Sequence, residues 1–319
     1  MDSAKTNSLS IQPHHLGKVA VVMGGWSAER EVSLMSGQQV FESLSHAAVD
    51  AHAVDAGRDI ATVLESGGFD RAFLILHGRG GEDGHVQAAL ELAGIPYTGT
   101  GVLGSALCMD KWRAKQLVSL HGVATPDARI VSNVDDARRA VEEIGRPVVI
   151  KPTNEGSSIG VSMLSRENDV ASAFAEAHRY GPVLVEQYMS GDEVTAAIVG
   201  DKVLPLISMK AAGQFYDYHA KYFAEDTQYV CPAALDETAT SRIQKMAMSS
   251  YKALDCRGWA RVDFMLDAKG EPHFIECNTA PGMTVHSLVP MAAKEAGMSF
   301  DALCLQILSE TLKDRGKSA

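Results

Sequence analysis

Apolar residues along this chain fall into short runs and alternations separated by glycine-rich turns, with helical spacing between them. The run KVAVVM over 18–23 predicts a strand that ends at Gly24 and Gly25, after which Ser27 can cap a helix carrying Glu29, Val32, Leu34, Val40 and Phe41. Further strands over 52–54 and 71–76, with helical stretches between and after them, predict a small doubly wound α/β unit reaching to about residue 103. A helix begins near Asp110, followed by strands over 128–131, 147–151 and 159–164. The rest predicts a strand over 203–206 and helices over 236–254, 287–296 and 300–313, whose apolar positions and many methionines are assigned to packing. The expected divisions are a loose tail over 1–16 and domains over 17–103, 104–186 and 187–319. No internal repeat is present.

The stretch 258–284 is the most informative. Alternation with period two places Arg261, Asp263 and Met265 on one face of a strand, and Ala-Lys-Gly after Asp267 is turn chemistry. On the return strand alternation puts His273, Ile275 and Cys277 on one side and Phe274, Glu276 and Asn278 on the other. Asp263, Glu276 and Asn278 offer only hard oxygen ligands, which suits Mg²⁺ shared with phosphate oxygens; ordinary charges on a solvated hairpin are the alternative. Gly282 can present a bare backbone N–H to a developing oxyanion, or simply make a turn.

Composition narrows the class. At 319 residues with 46% hydrophobic content, two or three domains with real cores are expected. A net charge of −11 argues against a nucleic-acid surface while leaving room for a local basic pocket. The five cysteines are widely spread, with no CxxC pair, so the sequence indicates neither a disulfide framework nor a zinc site, and a reduced, cytoplasmic setting fits. Residues 1–16 have no apolar signal core, and no later run approaches a bilayer span, so no membrane association is expected.

Three polar segments carry candidate chemistry. HGRGGEDG over 77–84 reads either as a ligand-lining loop or as a flexible surface loop. PVVIKPTNEGSSIGV delivers Lys151 from a strand into a Gly/Ser loop over 155–158, either a flap over phosphates or a hairpin with a polar tip. The segment 211–232 is rich in Tyr and Gly without a regular period, as functional loops are. GGWSAER lacks the glycine spacing of a dinucleotide site, so a nicotinamide cofactor is rejected.

RVDF and ECNTAPGMT resemble the metal-binding end of ATP-grasp enzymes, specifically the D-alanine–D-alanine ligases; GGWSAEREVS, HGRGGEDG, KPTNEGSSIG, YDYHAKY and HSLVPMA follow the family order over nearly all of 18–312. Another ATP-grasp carboxylate ligase would share the phosphate and metal logic without needing GGWSAEREVS or the HSLV ending. The resemblance implies a three-domain ATP-grasp fold, α/β in class and α+β overall, with an N-terminal Rossmann-like domain. It implies ATP and D-alanine as substrates, joined through a D-alanyl phosphate into a dipeptide for peptidoglycan. By the same resemblance, Lys111 and Lys151 bind phosphates, Glu186, Gln187, Tyr188 and Met189 pass adenine, Glu193 holds ribose, and Lys221 reaches the γ-phosphate. Gln187-Tyr188 departs from the Lys-Trp many relatives carry, although Tyr188 can still stack. Asp263, Glu276 and Asn278 would hold two Mg²⁺ or Mn²⁺ ions. Glu29, Ser157, Tyr222, Arg261, Gly282 and Ser287 would be catalytic, with His77, Ser287 and Leu288 binding substrate. A homodimer and K⁺ activation are likewise what the family implies. A non-enzymatic nucleotide-binding protein would leave Glu29, Ser157 and Tyr222 apart and solvated.

Overall fold

A computed structural model describes residues 13–156, 158–165, 169–210 and 228–316. Ser157, Lys221, Tyr222 and most of the expected closing loop therefore lie outside the described residues. The first described element is a 3-10 turn, Pro13–Leu16, whose Leu16 is fully buried. A parallel sheet follows, ordered β2-β1-β3, from β1 (Lys18–Gly24), β2 (Asp50–Ala56) and β3 (Arg71–Leu74). Its helices are α1 (Arg30–His46), α2 (Ile60–Ser66) and α3 (His85–Leu92). The continuous apolar run of β1 has a clear cause: Val19 and Val21 enter one core and Ala20 and Val22 another, as expected of a parallel strand covered on both faces. Ser27 is not the helix cap. Its Oγ accepts the Glu29 N–H at 3.1 Å and donates to the His77 carbonyl at 2.7 Å, so α1 starts after Glu29 and the glycine turn is tied to the end of the β3 connection.

Two short helices, α4 (Val102–Met109) and α5 (Lys111–Leu120), meet at Asp110, whose side chain caps α5 by accepting the Arg113 N–H at 2.9 Å. The second sheet is antiparallel, β4-β7-β5-β6, built from β4 (Ala128–Val131), β5 (Val148–Pro152), β6 (Ser162–Leu164) and β7 (Val183–Gln187). α6 (Val134–Ile144) and α7 (Val170–His178) complete its core.

The third sheet runs β11-β10-β8-β12-β13, with β9 paired to β8. Its strands are β8 (Glu193–Val199), β9 (Lys202–Val203), β10 (Ile207–Lys210), β11 (Gln228–Val230), β12 (Trp259–Leu266) and β13 (Pro272–Asn278). The helices are α8 (Glu237–Ala253), α9 (Leu288–Glu295) and α10 (Phe300–Ser309). The strand expected over 203–206 is cut short because Pro205 has no N–H to give the ladder. One face of this sheet, with Ala196, Ile198, Val262 and Phe264, packs on α4, α5 and α8. The other face carries Ala197, Val199 and Trp259 into the core of β1, α9 and α10, where Trp259 lies 6.3 Å from the Phe73 ring. The first and third sheets thus share apolar surface, and the site forms where the three units meet.

Candidate active site

A cavity of about 830 Å³ opens between these units, and its walls come from all of them. Glu29 enters from the start of α1, Gly78 and Glu82 from the loop after β3, Lys111 from α5, and Glu155 and Gly156 from the loop after β5. Glu193, Arg261, Glu276 and Asn278 come from the third sheet, with Gly282, Ser287 and Leu288 from the turn into α9.

The β12–β13 hairpin corrects simple alternation. Asp263 pairs with Glu276 and Arg261 with Asn278, but Phe264 pairs with Phe274, so Ile275 is the extra residue of a bulge. Phe274 and Cys277 accordingly both enter the core, while Glu276 and Asn278 face the cavity. Phe274 does not share a face with Glu276, contrary to the period-two expectation. Asp263 is 3% exposed and sits behind the wall, accepting from Thr195 Oγ1 at 2.6 Å and from Arg261 Nε and Nη2 at 2.9 and 2.7 Å. Glu276 Oε2 lies 3.0 Å from Lys111 Nζ, which also donates to the Glu155 carbonyl at 2.7 Å. Asn278 Oδ1 accepts the Ala280 N–H at 3.1 Å. The donor set is oxygen only, and each acid is already in cationic company. That chemistry fits a hard divalent ion.

Beside the cavity, Lys151 and Glu186 form an ion pair at 2.7 Å on adjacent strands β5 and β7. The sequence reading missed its third member, Lys115. Its Nζ lies 2.8 Å from Glu186 Oε2, an ion-pair contact outside hydrogen-bond geometry, and donates to the Phe274 carbonyl at 3.1 Å. One turn separates Lys115 from Lys111 on α5, which is the signal that would have found it. Burial pushes the Lys115 ammonium down to about 8, with Glu186 opposing. Glu186 feels the same burial upward, but the two lysines hold its carboxyl below the usual range. Gln187 N–H donates to the Asp127 carbonyl at 2.8 Å and Tyr188 N–H to the Pro147 carbonyl at 3.1 Å; Met189 is buried. Lys151 and the 186–189 segment do not line the described cavity, whereas Glu193 does.

The HGRGGEDG loop is a tied wall. Gly78 N–H donates to Glu82 Oε2 at 2.5 Å, Gly80 N–H to Asp83 Oδ2 at 2.8 Å, and Arg79 reaches across to Glu155 at 2.7 Å. Gly78 has φ +65°, and a Cβ there would press on Glu29, so glycine is required by both backbone and neighbour. Buried His77 donates Nδ1–H to the Ala280 carbonyl at 2.8 Å, and burial lowers its pKa, so the ring is neutral with Nε2 as acceptor. Burial, reinforced by Glu29, pushes the Glu82 carboxyl up to about 8. Glu82 was not singled out from sequence, although it stands among the acids of that loop.

Ser287 is the residue before α9 and its Oγ accepts the Thr284 N–H at 3.0 Å; a Cβ on Gly282 would come within 3.0 Å of that oxygen. Gly282 thus lets the turn pass close to Ser287, and Ser287 and Leu288 at the helix start line the cavity. The cysteines also surprise: Cys108, Cys256 and Cys277, distant in sequence, converge on one another.

Fold and cavity together define an ATP-dependent ligase of the ATP-grasp class. Family models described as D-ala D-ala ligase C-terminus and N-terminus match residues 118–309 and 57–100. A D-alanine–D-alanine ligase of Nitrosomonas europaea is 51% identical over 295 residues, 92% of this chain and 96% of that protein. The crystal structure of a Bacillus anthracis D-alanine–D-alanine ligase superimposes with a TM-score of 0.83 at 34% identity, covering 95% of this chain and 99% of the other. The same enzyme complexed with ATP gives 0.82 at 32%, with the same coverage. The chain belongs to the D-alanine–D-alanine ligase family. Among the described residues, no helix is long and apolar enough to cross a membrane.

Proposed function

We propose that the chain condenses two D-alanine molecules to D-alanyl-D-alanine, with ATP converted to ADP and phosphate, in the cytoplasm and for peptidoglycan precursors. The observation that carries this reading is one enclosure holding an acid at a helix start (Glu29), an oxygen-ligand strand beside a lysine (Glu276, Asn278, Lys111), and an oxyanion pair (Arg261, Gly282). Such a set serves both halves of an acyl activation and transfer. The relatives' names and the ATP complex of the Bacillus anthracis ligase support the same substrates.

In the first half, the carboxylate of one D-alanine attacks the γ-phosphoryl group to form D-alanyl phosphate. Glu29 pairs with that molecule's ammonium and neutral His77 braces the wall behind it. Lys111 and Lys151 carry phosphate oxygens, with Glu186 fixing the Lys151 ammonium. Residues 186–189 pass the adenine edge and Glu193 the ribose. Asp263, Glu276 and Asn278 would hold Mg²⁺ or Mn²⁺, two ions per site. Bound there, the metal supplies neutralisation of phosphate charge. Lys221 and Tyr222, with Ser157, complete the site from outside the described residues.

In the second half, the amine of another D-alanine attacks the acyl carbon and phosphate leaves. Arg261 and the Gly282 N–H stabilise the tetrahedral oxyanion. Ser287 and the Leu288 N–H receive the second carboxylate at the start of α9, where the helix dipole favours an anion. The domain divisions near 103 and 186, a homodimer, and K⁺ activation belong to the same proposal. The test is ATP-dependent phosphate release with D-alanine, with the product identified by mass. Phosphate release without dipeptide, or no turnover at all with D-alanine, would overturn it.

A further inference from the structure

Three thiols meet behind the hairpin strand that faces the cavity. Cys108 comes from the end of α4, Cys256 from the segment between α8 and β12, and Cys277 from β13. The Cys108 and Cys256 sulfurs are 3.5 Å apart and those of Cys256 and Cys277 3.8 Å, and all three lie within 4.8 Å of one another. Cys108 and Cys277 are buried and Cys256 half-buried.

We propose that Cys108, Cys256 and Cys277 form a three-thiolate site for one soft metal ion of the Zn²⁺ or Cd²⁺ class, separate from the oxygen ligands on the same strand. Around an ion with bonds of about 2.3 Å, sulfur ligands sit roughly 3.8 to 4.0 Å apart. The two shorter separations fall at or just under that spacing and the third is no longer than 4.8 Å, so closing the site needs sulfur shifts of less than about an ångström. Three segments far apart in sequence deliver sulfurs to one point.

Selectivity follows from the strand. Successive side chains point to opposite faces, so Glu276 and Asn278 present oxygens to the cavity while Cys277 presents sulfur inward. Thiolates take Zn²⁺, Cd²⁺ or Cu⁺, and carboxylate with amide oxygen takes Mg²⁺ or Mn²⁺. The two sites therefore need not compete for an ion. Cys108 and Cys277 also contribute to the cavity wall, so the sulfur cluster lies directly behind it. Binding would release the thiol protons to solvent and tie α4, the end of α8 and β13 together. The competing account is that small apolar cysteines merely fill this core.

The test titrates Cd²⁺ alone into the full chain kept reduced by a phosphine. Expected are ultraviolet thiolate-to-cadmium absorption saturating at one equivalent, a raised Tm, and loss of both in Cys256→Ser and Cys108→Ser, while Cys231→Ser and Cys304→Ser retain them. A readout without substitution guards against misfolded variants: bound Cd²⁺ should slow alkylation of Cys256 at least tenfold and leave half-buried Cys231 unchanged. No absorption in the wild type, full absorption in both Cys256→Ser and Cys108→Ser, or equal slowing at Cys231 would each overturn the site.

Discussion

Replacing Glu186 by Gln isolates the buried charges beside the cavity. Glu186 is 3% exposed, between Lys115 at 1% and Lys151 at 7%. Removing one member of a buried ion group costs about 3–5 kcal/mol, because the partners' charges stay buried without compensation. The lower part of that range is expected here, because Lys115 can discharge. Its ammonium is already down to about 8 from 10.5 with Glu186 present, a displacement worth roughly 3 kcal/mol against the charged form. Without Glu186 the value falls further, and the neutral amine then limits the loss near pH 7. The sign follows from linkage: a lysine depressed in the folded state costs stability as pH falls from the unfolded value through the folded one. From this group the wild type gains stability as pH rises from about 8 to 10.5, and Glu186→Gln should begin gaining at lower pH. Urea unfolding followed by circular dichroism from mildly acidic to alkaline pH reads both effects. A penalty below about 1 kcal/mol, or a penalty constant across pH, would refute the account of Lys115.

Glu276→Gln should keep the urea midpoint and reduce ATP-dependent phosphate release by at least ~10²-fold, and excess Mg²⁺ should not restore it; restored turnover would remove Glu276 from the ligand set. For Glu82, whose carboxyl burial raises from 4.5 to about 8, folding stability is fully present below the unfolded value and falls as pH rises through that window, by up to about 1.4 kcal/mol per pH unit. Glu82→Gln should flatten this fall in urea melts at successive pH values, and an unaltered slope would assign the fall to other groups. Tyr222→Phe should weaken preference for D-alanine over D-lactate as second substrate by roughly 0.5–1.5 kcal/mol, read as the dipeptide-to-depsipeptide ratio in competition; an unchanged ratio would dismiss the hydroxyl. Gly191→Ala should lower the Tm, since a Cβ there meets the Leu266 carbonyl backbone, and an unchanged Tm would show that the turn yields.

Much local chemistry was legible in the sequence where it depended on neighbours along the chain, although the cap expected of Ser27 was lost to its bond with the His77 carbonyl. The apolar run of β1, the Asp110 cap of α5, the turn after Asp267 and the oxygen residues of RVDF and ECN depend on spacing and side-chain type alone. The family order of the motifs made the fold class and the ligase reading available before any contact was seen. What alternation along one strand cannot contain is the partner strand's register: the bulge at Ile275 moved Phe274 into the core and left Glu276 facing the cavity. Burial was equally invisible. Side-chain type does not distinguish Lys115 from Lys111, which share one face of α5, yet Lys111 at the helix start lines the cavity while Lys115, one turn further on, meets Glu186 and the Phe274 carbonyl in a buried ion group. The same reason separates cysteines that look scattered in sequence from three sulfurs gathered at one point: spacing reports distance along the chain, and only the packing of α4, α8 and β13 decides distance in space.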